Sequence, residues 1–241
     1  MEPAERAATE ILATIEATYQ AIHDYVVVEA KSFGHLDLAF YERTAKVLSV
    51  EGFRRLADVE DRTVTNTPKG VLMPVLIRSM LSKDGTIMAA LYHPRIKPVL
   101  VRMLLWVMRK LPAKVVDMET EFDDGSFVVT SNAASAAAID LPSLISAACL
   151  PTTATVLGVF QRHLTRVAAH VTARPGVHAK KFTTHAELLA SQHRMNAIKA
   201  AFRGEISGIT KEELDRLAIL GKSMSRDVHT AIVRQQTRRA S

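Results

Sequence analysis

Two short segments constrain this chain most: Lys83-Asp84-Gly85 and Asp123-Asp124-Gly125. Each ends in a glycine, which tolerates the positive φ that a tight reversal demands. Each is flanked by runs of apolar and β-branched residues. Val75 to Leu81 and Thr86 to Tyr92 surround the first; Val115 to Phe122 and Ser126 to Ser131 surround the second. Both therefore predict β-hairpins. In Val116-Asp117-Met118-Glu119-Thr120-Glu121-Phe122 apolar and polar residues alternate, so one sheet face is polar, either wet or covered by something polar. Phe53 to Val59 adds a further short strand, giving about five strands in one antiparallel sheet.

Around this core the period becomes helical. Pro3 opens a pattern in which Ile11, Leu12, Ile15, Tyr19, Ile22 and Val26 recur at three and four, predicting one helix to about Lys31. A second helix follows near Leu36 to Val50. Ile96 to Leu111 predicts a helix between the hairpins. Ala133 to Ala138 is a loop or a weak helix, and Pro142 and Pro151 bracket a short apolar piece holding Cys149. Thr152 or Thr153 caps a helix to Val171, Thr184 caps one to about Phe202, and Thr210-Lys211-Glu212-Glu213 is a capping box. The expected fold is α+β: a small antiparallel sheet of about five strands, long N-terminal helices, one inserted helix and a C-terminal helical region. The expected organisation is a helical arm over 1–51, the sheet over 52–132 with its inserted helix at 95–111, and a helical region over 133–241 packing on the sheet. A 27-residue amphipathic arm is more than a small sheet covers, which predicts homo-oligomer contacts through the first helix.

The formal net charge of +6 conceals a segregation. Residues 95–114 hold six basic side chains and no acid. Residues 162–203 hold eight against one acid, together with five of the nine histidines. These segments carry +6 and +7, leaving −7 elsewhere, and such segregation creates local fields. On a helical wheel Arg95, Arg102, Trp106 and Arg109 share a side, with Lys110 beside them, as suits a helix lying on anionic headgroups or packing across the sheet with a basic edge. In the second segment Arg162, His163, Arg166, His170, Lys180, Lys181 and Arg194 form a basic set suited to anions, or a solvated basic face. Exposed histidines there would add up to about five charges near pH 6.5.

Other chemistry has less support in the residues. His163 and His170, like His185 and His193, are too far apart along their helices to share a metal ion. No P-loop, dinucleotide, zinc-finger or nucleophile-elbow motif occurs, so no cofactor and no metal is expected. Cys149, the single cysteine, excludes an intramolecular disulfide and reads as a buried small hydrophobe. Asp117, Glu119 and Glu121 line one sheet face, where a pocket would use them as general acid or base and a solvated sheet would simply pair them. Aromatics are 5% of the chain, and none form a stacking pair on a sheet face, which counts against nucleic-acid recognition through 162–203 without removing it.

Gly52-Phe53, Ser82-Lys83-Asp84-Gly85-Thr86, Thr120-Glu121-Phe122-Asp123-Asp124-Gly125 with Val129-Thr130-Ser131-Asn132, Leu150-Pro151 and His163 together resemble a diffuse set of uncharacterised bacterial proteins. These pair a Thr-Glu-x-x-Asp-Gly … Thr-x-Asn hairpin with a downstream Leu-Pro and a helical histidine. The resemblance implies the strands and no activity or site residue.

The leading expectation is a non-catalytic binding or scaffold protein whose basic faces meet an acidic protein or an anionic lipid surface. The alternative is a small-ligand-binding protein or enzyme with a pocket between sheet and helices, using Asp117, Glu119 or Glu121 with a histidine. Nucleic-acid binding is third. The acidic start, and the lack of any apolar stretch long enough to span a membrane, predict a cytoplasmic chain, membrane-associated at most.

Overall fold

The computed structural model describes residues 3–65, 73–95, 114–133, 138–217 and 222–240. Seven strands form one sheet in chain order: β1 (Tyr25–Val27), β2 (Arg54–Asp61), β3 (Leu76–Leu81), β4 (Met88–Tyr92), β5 (Val115–Glu121), β6 (Phe127–Ser131) and β7 (Ile145–Cys149). The predicted Ile96–Leu111 helix lies outside the described residues, as does most of Ala133–Ala138. Described helices are α1 (Pro3–Thr18), α2 (Leu38–Val50), α3 (Arg62–Thr65), α4 (Val156–Ala173), α5 (His185–Glu205), α6 (Lys211–Leu217) and α7 (Lys222–Ala240).

The α+β class holds, but the sheet has seven strands rather than about five. The first additional strand, β1, comes from what the periodicity assigned to the first helix. That helix stops at Thr18, and Tyr25-Val26-Val27 pairs antiparallel with β2, Tyr25 opposite Asp61. Ile22 and Val27 are 72% and 65% exposed, so the apolar recurrence past Tyr19 was not a buried stripe. A run of β-formers beside an open sheet edge gains ladder hydrogen bonds that a frayed helix end lacks. The second, β7, is the apolar piece with Cys149. It lies parallel to β6, Ser131 opposite Cys149, which is why it shows no hairpin signal in sequence.

Both predicted hairpin turns form, with Gly85 and Gly125 at φ +79. Behind Gly85 the backbone of Phe182 closes in: a Cβ there would lie 2.6 Å from the Phe182 carbonyl oxygen, and Phe182 N–H donates to Gly85 O at 2.9 Å. This seats the strap that leads into α5.

The sheet is covered on both faces. On one, α2 and α4 bury Phe40, Tyr41, Leu48, Val159 and Phe160 against Leu76, Met80, Ala89, Leu91, Val116 and Met118. On the other, α5 crosses β3 to β7, placing Leu188 near Leu81 and Met88, and Met195 near Phe127 and Ile145. Thr155, slightly later than expected, caps α4; Thr184 and Glu187 form a full capping box on α5.

The apolar face of α1 is occupied within the chain. Ala8 and Leu12 pack with Ile209, Leu214, Val228, Ala231 and Ile232 of the α6–α7 region. The expectation of an intermolecular partner arose from a 27-residue arm; the observed helix has 16 residues and its stripe is buried here. Arg203, 5% exposed, ties this bundle to α5 through Glu213, with Nη1 2.8 and 2.9 Å from the two carboxylate oxygens. No described helix is long and apolar enough to cross a membrane.

A crevice between the sheet and α5 as candidate functional site

On the face toward α2 and α4 the central strands are closed; on the face toward α5, Met88, Val115, Glu121, Phe127 and Ser131 are buried as well, and only the positions between them are less so. In β5, Val116, Met118 and Thr120 are buried under α2 and α4, whereas Asp117 and Glu119, facing α5, keep partial solvent access. The same asymmetry holds for Ala90 and Tyr92 on β4 and for Val129 on β6. These residues sit mid-sheet beneath a 21-residue helix. Half-buried positions in the middle of a covered face mark a candidate crevice. The residue opposite Asp117 on β4 is only Ala90, a side chain that fills little space there.

Each wall has a polar inventory. The Tyr92 hydroxyl donates to Asp117 Oδ2 at 2.7 Å, while Asp117 Oδ1 is buried with no hydrogen bond. Burial pushes the Asp117 carboxyl up; Ser131, close by but not bonded to Oδ1, Tyr92 and Lys199 pull the other way. Glu119 accepts from Gln192 Nε2. Burial, aided by the charge of Asp117 and opposed by Lys199 and Gln192, raises it to about 7. Tyr92 is raised well above the usual phenol range by burial and by Asp117. Burial also pushes the Cys149 thiol up.

Glu121 behaves differently. Burial would raise it, but Arg194, Lys180 and Ser191 outweigh that and hold it below the usual range. Arg194 Nε and Nη2 lie 2.8 and 2.7 Å from its oxygens, with Lys180 Nζ and Ser191 Oγ at 2.5 Å. Glu121 is therefore a saturated structural anchor for α5.

Toward the β1 edge, His23 Nδ1 pairs with Asp61 Oδ2 at 2.6 Å, and its Nε2 is buried without a partner. The Tyr25 ring stacks between His23 and His193, with centroids 5.7 and 5.9 Å away. Burial raises the Tyr25 hydroxyl, followed by the charge of Asp61, with Glu119 a smaller contributor.

The basic set is largely committed inside the fold. Arg95 donates to the His35 carbonyl. His163 is fully buried between Thr120 and Thr130, at 3.0 and 3.1 Å, and burial lowers it to about 3. Arg166 joins β6 to β7 through Thr130 and Ser146, and burial lowers its pKa. His170 stacks on Phe122 and pairs with Ser126 Oγ at 2.9 Å, and burial lowers it too. Lys180 and Arg194 serve Glu121. Arg162 and Lys181 are exposed; Arg102, Trp106, Arg109 and Lys110 lie outside the described residues. The segregation along the sequence is thus partly cancelled in space, because acids of the sheet and its turns meet the bases of 162–203. The expectation of about five titrating charges also fails: His163, His170 and His185 are driven toward neutrality by burial.

Asp117 and Glu119 were legible as one face of a strand. Tyr92, Gln192, Lys199 and the His23–Asp61 pair were missed. A signal for part of this exists: Gln192, Asn196 and Lys199 recur at four and three on α5, a polar stripe on a covering helix. Among the described residues no three His, Cys, Asp or Glu side chains are placed to hold a metal ion. Compared with known proteins, the chain matches no family model, no curated protein and no solved structure.

Proposed function

We propose that the chain is a small-ligand-binding protein whose site is the crevice between the inner sheet face and α5, with Glu119 able to exchange a proton near neutral pH. The partial exposure of Ala90, Tyr92, Asp117, Glu119 and Val129, amid buried neighbours on the same face, carries this reading, because a sheet face under a long helix otherwise closes throughout. Asp117 and Glu119 supply the convergent polar groups that ligand pockets use for orientation. Should the ligand react there, a carboxyl near 7 is suited to general acid or base work.

The test is a thermal-shift screen with amines, carboxylates, sugars and nucleosides, run on the wild type and on Ala90→Leu, which fills the space opposite Asp117. At least one compound class should raise the wild-type melting temperature and lose that effect in the variant. A wild type indifferent to every class, or a shift that survives in Ala90→Leu, overturns the reading.

A further inference from the structure

We propose that β7 is a dimerisation edge: two copies of the chain pair antiparallel through Ile145–Cys149 and join their sheets across a two-fold axis at Ala147. This surface does not depend on the crevice. β7 is the last strand of the sheet, with β6 on one side and no strand of the described residues on the other. Its backbone groups divide by parity. Leu144 O accepts from Phe127 N–H at 2.7 Å and Leu150 N–H donates to Ser131 O at 2.7 Å, so the even-numbered residues address β6. In a parallel ladder the residues between them point their N–H and C=O the other way. Those residues are Ile145, Ala147 and Cys149. The Ile145 N–H is held by Pro142 O at 2.9 Å, whereas the N–H and C=O groups of Ala147 and Cys149 meet no partner among the described residues.

Such an edge is a template for another strand, and proteins blunt it with charge, proline, a bulge or brevity. β7 has none of these. Ile-Ser-Ala-Ala-Cys is uncharged, its register with β6 is unbroken, and Ser146 and Ala147 are exposed. β1, at the opposite edge, has only three residues.

Symmetry selects a second copy as the occupant. The outward groups are centred on Ala147, with Ile145 and Cys149 two residues to either side. Antiparallel pairing about that point sets Ala147 against its own counterpart and Ile145 against Cys149 of the other copy. Every outward-facing residue then meets an outward-facing residue, as an isologous contact requires. The two Ala147 residues exchange N–H···O bonds. Each Cys149 N–H reaches the Ile145 carbonyl opposite, so the Ile145 N–H keeps its bond to Pro142. The side chains also agree. Ile145 packs toward α5 against Met195, Ser146 lies toward α4 on Arg166, and the strand brings no like charges together.

The experiment is analytical ultracentrifugation of the full chain over a range of concentrations, with Ala147→Lys and Ala147→Glu beside the wild type. The wild type should reach twice the monomer mass. Ala147 is exposed, so the fold tolerates either charge, which urea unfolding checks. Each variant alone should stay monomeric, because like charges would face each other at the axis. An equimolar mixture of the two should pair again, lysine against glutamate, which a merely damaged protein would not do. A wild type monomeric at every concentration overturns the second copy as occupant. A dimer that survives both charges lies at another interface and overturns it as well. Variants that dissociate but do not pair on mixing overturn the register centred on Ala147.

Discussion

Glu119→Gln offers the sharpest physical test, because it reads the crevice without knowing the ligand. Burial lifts Glu119 from 4.5 to about 7 in the folded protein. Between those values the folded chain holds a proton that the unfolded chain has released. Glu119 therefore favours the folded state below pH 4.5, and that contribution is lost as pH rises through 7. At 1.36 kcal/mol per unit the full span is about 3.4 kcal/mol; screening by residual solvent reduces it to about 2. The wild-type curve alone will not display this. His163, lowered to about 3 from 6.5, has the opposite sign: stability rises with pH between those values. The two slopes oppose each other from about pH 4.5 to 6.5. The comparison must therefore be the wild type minus the variant at matched pH, where His163 cancels. Urea unfolding followed by circular dichroism at pH 4.5, 5.5, 7 and 8 measures it. The variant should gain about 2 kcal/mol relative to wild type between pH 4.5 and 8, most of it between 5 and 7. A difference constant across that range would refute the assignment of a raised Glu119.

Two further outcomes probe the scaffold. Glu213→Ala should cost about 3–5 kcal/mol in urea unfolding, because it strands the buried Arg203 guanidinium and also removes the acceptor for the Thr210 and Asp140 backbone N–H groups; a cost under about 1 kcal/mol would contradict this. Gly85→Ala should destabilise clearly more than Gly125→Ala, which pays only the left-handed backbone penalty of about 1–2 kcal/mol, since both sit at φ +79 but only Gly85 faces a backbone oxygen, at 2.6 Å; equal losses would refute the contact.

The local elements most legible in the sequence were those closed by nearest-neighbour chemistry. The two Asp-Gly turns, the Thr184 cap, the Thr210 capping box and the alternation of β5 are each written within a few residues. The elements that were misread depend on a distant partner. Tyr25–Val27 becomes a strand because β2 offers an edge, and Ile145–Cys149 because β6 offers one in parallel. The first helix ends at Thr18 for the same reason, and its stripe finds α6 and α7 across more than 190 residues of chain.

The charge pattern marks the same boundary. From sequence alone, residues 162–203 are a basic segment with a single acid, and β5 carries three acids on one face. Hydrophobic period and turn chemistry determine that this acidic face exists, since alternation within one strand is a local property. Only the tertiary structure decides which acid is answered. The α5 helix lays Arg194 and Ser191, and its preceding strap lays Lys180, against Glu121, and leaves Asp117 and Glu119 to share Lys199. Electrostatic free energy depends on distance and burial, neither of which a linear charge count contains, and so a net +6 does not tell which acid of β5 is paired.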